Sequence, residues 1–135
     1  MRSWLVAALF AAALCAGCGG VVDPSKNVTD TFNGTIPVQG TSPGHPFSTN
    51  KTGEYTVKVT TLAPSTNNFF GTILAQGTTD GNCSGSLPIL QQNSFGTINV
   101  PVLTGPILPG RYCVFLFDIG TFTATQSYTL TVSHP

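Results

Sequence analysis

Residues 108–118 read Leu-Pro-Gly-Arg-Tyr-Cys-Val-Phe-Leu-Phe-Asp, a Pro-Gly turn followed by a run that is apolar from Tyr112 to Phe117. In an extended chain Tyr112, Val114 and Leu116 take one face, and Cys113, Phe115 and Phe117 the other. A strand apolar on both faces is expected in the middle of a packed β structure, covered on both sides. Two further segments alternate cleanly. In residues 54–62, Tyr55, Val57 and Val59 alternate with Thr56, Lys58 and Thr60. In residues 126–133, Tyr128, Leu130 and Val132 alternate with Thr129, Thr131 and Ser133. A period of two sends the apolar set of each to the core and leaves the hydroxyls and Lys58 in water.

The remaining segments are weaker. Residues 30–36 form a strand interrupted by Asn33-Gly34, residues 37–46 a Pro- and Gly-rich loop or edge segment, and residues 47–49 a short strand. Residues 69–76 are mixed on both faces, and Pro88 weakens any strand in residues 87–90. Residues 95–103 alternate through Ile98, Val100 and Val102, and Pro101 points to an edge position, because proline gives the ladder no donor. Turn-forming clusters at residues 64–68 and 78–85 separate these runs. The expectation is an all-β domain, a β-sandwich of about seven to eight antiparallel strands, with a closed barrel as the alternative.

The first residues follow another rule. Met1-Arg2 is a positive start, residues 4–14 are unbroken apolar, and Leu14-Cys15-Ala16-Gly17-Cys18 follows. An apolar run this short, ending in small residues, is expected to be a signal helix that is removed. The ending resembles a bacterial lipoprotein signal, in which small residues precede a cysteine that is acylated. Ala16 and Gly17 match that pattern, whereas Cys15 stands where it usually has leucine. Cysteine parity agrees. Of four cysteines, cleavage before Cys18 leaves three, of which Cys83 and Cys113 form a pair and Cys18 takes lipid. The expected organisation is a signal peptide at 1–17, a Gly-, Pro- and Ser-containing tether at 18–29, and one domain at 30–135. That places the protein at the bacterial cell envelope, exported and lipid-anchored, with a soluble secreted protein as the alternative.

Composition narrows the function. Charged residues are 7% of the chain, and five basic side chains balance five acidic ones. Without a basic patch, nucleic acid is excluded as a partner. At 41% hydrophobic, with nine phenylalanines, the chain has a core and is not disordered.

The order of the pieces resembles the bacterial pre-peptidase C-terminal domain. The resembling segments are Thr31-Phe32-Asn33-Gly34-Thr35-Ile36, then Gly53-Glu54-Tyr55-Thr56-Val57-Lys58-Val59, then Leu108-Pro109-Gly110-Arg111-Tyr112-Cys113-Val114, then Tyr128-Thr129-Leu130-Thr131-Val132. The resemblance implies a jelly-roll-like sandwich and a non-catalytic role, since such domains accompany secreted enzymes and some relatives bind calcium or carbohydrate. This chain departs from it in carrying no enzyme domain.

Catalytic chemistry finds little material. His45 lies between Gly44 and Pro46, and His134 is penultimate; both are expected to be surface polar groups, and no Gly-x-Ser-x-Gly elbow is present. Two separated histidines do not make a zinc site. The carboxylates after the leader, Asp23, Asp30, Glu54, Asp80 and Asp118, are scattered, so no glycosidase pair is expected. Asp80, Asn82 and Asp118 offer oxygens for calcium but without EF-hand spacing. Phe47, Phe69, Phe70 and Phe122 are candidates for stacking on a sugar, with core packing the default for phenylalanine. The sequons at Asn27, Asn33, Asn50 and Asn82 have no general meaning under a bacterial leader. The expectation is a non-enzymatic protein without cofactor, with an envelope protein or a glycan as its partner; the alternative is a secreted carbohydrate- or calcium-binding module.

Overall fold

The computed structural model describes residues 23–135, so the expected signal helix, Cys15 and Cys18 lie outside the described residues. Eight strands follow a short 3-10 turn at Pro24–Lys26. They are β1 (Val28–Ile36), β2 (His45–Thr49), β3 (Gly53–Ala63), β4 (Phe70–Gln76), β5 (Ile89–Gly96), β6 (Pro101–Ile107), β7 (Gly110–Phe117) and β8 (Gln126–His134). They form two four-stranded antiparallel sheets, ordered β1-β8-β3-β6 and β2-β7-β4-β5.

Period-two patterning holds along β3 and β8, the two interior strands of the first sheet. Tyr55, Val57 and Val59 of β3 and Tyr128, Leu130 and Val132 of β8 are buried and meet Phe70 and Leu74 of β4 and Val114 and Leu116 of β7 in one core. Their alternate residues Lys58, Thr60, Thr129 and Thr131 face outward and are half-buried. Both strands are interior to their sheet, so each hydroxyl lies between side chains of its neighbours. Thr72 of β4 also faces the core, and its hydroxyl is the one buried side-chain polar atom among the described residues without a hydrogen-bond partner. Thr72→Val removes an unsatisfied group at nearly constant shape. It should raise stability by about 1 kcal/mol, read as a higher urea midpoint at unchanged slope.

Several boundaries differ from the sequence reading. β1 passes straight through Asn33-Gly34, because Gly34 is needed for a close approach and not for a turn. A Cβ there would lie 2.5 Å from the Tyr128 hydroxyl. β1 also starts at Val28, and Asn27 donates from Nδ2 to the Glu54 carbonyl at 2.9 Å, so the end of the expected tether is pinned to the domain. The run 95–103 is not one strand. β5 ends at Gly96, Asn99 takes a left-handed conformation at φ 65, and β6 starts at Pro101 in the other sheet. Pro101 is at an edge, as expected, because β6 closes its sheet. Pro88 stands just before β5, where its carbonyl accepts from Gln76 N at 2.9 Å.

β7 lies between β2 and β4. Its second apolar face is covered by loops, not by another layer. Cys113 is completely buried under its disulfide to Cys83, and Phe115 and Phe117 are half-buried. The Phe117 ring lies directly on Gly71, and Cys83 and the Phe115 ring lie on Gly44, where side chains would collide.

The two open sides of the sandwich close differently. Where β5 meets β6, Asn93 Nδ2 donates to the Val102 carbonyl at 2.8 Å and Gln91 Nε2 to the Thr104 carbonyl at 3.3 Å. Side-chain amides thereby satisfy the edge of β6. Where β1 faces β2, aromatic rings and the two histidines fill the seam.

Register fixes the ends. β1 and β3 start, and β6 and β8 finish, at the same end of one sheet. In the other sheet β5 and β7 start, and β2 and β4 finish, at one end. Thr49 Oγ1 donates to the Pro135 carbonyl at 2.9 Å, so these two ends coincide. We call this the entry end, because the chain enters β1 there.

Candidate functional site

Both histidines are buried, which corrects the expectation of surface groups. His45 begins β2 with its ring stacked on Phe32 of β1 at 4.9 Å between centroids. Its Nε2 shares a 2.6 Å hydrogen bond with the Tyr128 hydroxyl. His134 ends β8, with Nε2 3.1 Å from Asp30 Oδ2 and Nδ1 3.3 Å from the Pro135 carbonyl. Phe47 packs on it at 5.1 Å. The His134–Asp30 contact has the form of a base with its orienting carboxylate. Its second ring nitrogen faces a backbone carbonyl instead of a nucleophile, so the pair works as a seam contact. Inward alternation of His45, Phe47 and Thr49 was the available sequence clue, masked by the flanking Gly44 and Pro46.

Burial holds the His45 imidazole below its ordinary value, and pushes the Tyr128 phenol up. A lowered histidine binds fewer protons folded than unfolded. Its contribution to stability is therefore complete above the unfolded value of about 6.5 and is lost as pH falls from there toward the folded value. Asp30 meets His134, and no carboxylate is hydrogen-bonded to the His45 ring to offset the effect. The melting temperature should drop as pH falls below about 6.5, and His45→Gln should flatten that drop. An equal drop in His45→Gln would assign it to other groups.

The three calcium candidates are not brought together. Asp80 and Asn82 sit in the β4–β5 connection beside the start of β7, and Asp118 follows its finish, a strand length of roughly 20 Å away. Thr78 donates its hydroxyl to Asp80, and Asn82 adds its side-chain amide at 2.6 Å. These contacts, the Thr78 one foremost, hold the Asp80 carboxyl below the usual range. Burial pushes the Asp118 carboxyl up, but backbone N–H donors of Gln39, Gly120, Thr121 and Phe122 outweigh it and leave it lowered. Each carboxylate organises its own loop.

Of the four aromatic candidates, Phe47, Phe70 and Phe122 belong to the core, the default place for phenylalanine. Phe69 is 47% exposed. Sequence reasoning missed Phe95, which at 73% is the most exposed large apolar side chain of the described residues. Both lie at the end opposite the entry end. Each presents an exposed apolar ring face for stacking.

The entry end holds a cleft of about 280 Å³ between the sheets. Tyr55, Leu74, Ile107 and Tyr112 line it, and Leu90 and Leu108 stand at its rim. Tyr55 donates to Gln91, and burial pushes its phenol up to about 12. The Tyr112 hydroxyl donates to the Leu108 carbonyl at 2.6 Å, which holds the rim turn. A mostly apolar recess with a few fixed polar groups is the usual form of a small-ligand or contact site. Its lining comes from five strands and one turn, so no short motif announces it.

No protein-family model matches this chain, and no curated protein matches it.

Proposed function

We propose that this chain is a non-enzymatic lipoprotein of the bacterial cell envelope, whose β-sandwich serves a structural or interaction role. In this reading residues 1–17 export the chain, Cys18 carries the lipid, and the domain is displayed on a short tether. The observation that carries the reading is the Cys83–Cys113 bond. It consumes both cysteines of the described residues and leaves Cys18 as the mature thiol for acylation, consistent with the parity of the sequence. The strand order β1-β8-β3-β6 over β2-β7-β4-β5 supports the finer reading, a jelly roll like that of the pre-peptidase C-terminal domain. Both histidines are engaged in the β1/β2 seam, which favours binding over catalysis.

The test is an intact mass of the protein extracted from its membrane, with and without reductant. The expected mass fits a chain starting at acylated Cys18 and gains two hydrogens on reduction, and Cys18→Ser abolishes membrane retention. A soluble product without acyl chains overturns the reading. A second reading, a secreted carbohydrate-binding module, is favoured by the exposed rings of Phe69 and Phe95. Loss of glycan-array signal in Phe95→Ala would support it.

A further inference from the structure

We propose that the entry end of the sandwich rests on the lipid bilayer, with the rim residues Leu90 and Leu108 entering the boundary between headgroups and acyl chains. This rests on the lipid-anchor reading above, and it assigns a partner to a surface which that reading leaves bare.

Reach makes the argument. Asp23, the first described residue, is five positions after Cys18, a span of at most about 18 Å. Asp23 is already part of the folded end. It accepts from Ser25 N at 3.0 Å in the 3-10 turn, and Asn27 then ties the chain to Glu54 at the start of β3. An acylated Cys18 therefore keeps the entry end close to the membrane, at a high effective concentration. The opposite end lies a further strand length away, roughly 25–30 Å.

The surface held there suits the partner. Leu108 is 66% exposed at the tip of the two-residue β6–β7 turn, and Ile89 and Leu90 are 57% and 51% exposed at the start of β5. Leu90 and Leu108 rim the same cleft. Lys26, Lys51, Arg111 and His134 share this end with Asp23, Asp30, Glu54 and Asp80, and His134 holds Asp30 at 3.1 Å. With no excess of positive charge, the contact is apolar and independent of salt. A second copy pairing along β5 is less suited, because β5 breaks register with β4 twice, and such bulges discourage edge-to-edge pairing.

The chain's one tryptophan is Trp4 in the leader, so a mature chain starting at Cys18 offers a clean background for a reporter. The acylated full-length product, its mass checked, is reconstituted in phosphatidylcholine vesicles with ordinary or brominated acyl chains, as Leu108→Trp and separately as Phe69→Trp. In brominated lipid Leu108→Trp should shift to the blue and lose roughly half of its emission, unaffected by salt, while Phe69→Trp stays unquenched. An acylated protein whose Leu108→Trp is unquenched, or whose two reporters are quenched alike, overturns the docking and leaves the anchor standing. A blue shift that follows protein concentration without quenching assigns the surface to a second copy and also overturns it. A mass without acyl chains overturns the anchor, and the docking with it.

Discussion

Cys83→Ala combined with Cys113→Ala should destabilise the domain by about 3–4 kcal/mol, lowering its melting temperature by on the order of 15 °C. The bond joins residues 30 positions apart, and opening a loop of that size returns its closure entropy to the unfolded chain. Native contacts add to the loss. Cys113 is fully buried at the outer face of β7, with Cys83 above it and Gly44 tight against Cys83. The β4–β5 connection thus covers a strand that would otherwise turn apolar side chains to water. For a domain whose total stability is of the order of 5–15 kcal/mol, the effect is a large fraction. Urea titration of the double variant against the oxidised parent measures it. A difference under about 1 kcal/mol would mean that the unfolded chain is already compact around these cysteines.

The sandwich was legible where strands are interior and one face is buried. β3, β7 and β8 match their sequence readings to within two residues at each end, because a buried face imposes the period that betrays it. β5 was not legible. Its centre is Gln91, Gln92 and Asn93, and the polar residues at 91 and 93 bind the β6 backbone. An edge strand that works through side-chain amides shows no apolar alternation. The false strand 95–103 had the opposite cause. Ile98, Val100 and Val102 keep even spacing through a turn, yet Val100 is exposed and only Val102 belongs to a strand. Cysteine pairing was legible because parity left one plausible pair. The histidine seam and the entry-end cleft were not, since each is assembled from strands far apart in the chain.

Phe69 and Phe70 show how far adjacent, identical residues can differ once pairing places them. Phe70→Ala should destabilise the domain by about 3–5 kcal/mol, and Phe69→Ala by less than about 0.5 kcal/mol. Phe70 opens β4 pointing inward with no exposed surface, and belongs to the one core cluster. Its ring reaches over β5 to lie above Gly96, where a Cβ would stand 2.7 Å from it. Truncating Phe70 therefore loses both the transfer of an aromatic ring out of water and its packing across two strands. Gly96, having no side chain, cannot fill the cavity. Phe69 precedes the strand and is nearly half exposed; its part in the fold is a carbonyl that accepts from Thr121 Oγ1 at 2.8 Å, which alanine retains. Matched urea unfolding of the two variants reads the difference directly. Equal losses would mean that Phe69 is covered in solution, by a second copy of the chain or by a different packing of the residue 64–69 turn. A large loss at Phe69 alone would shift the register of β4 by one residue and reverse every inward side chain on it.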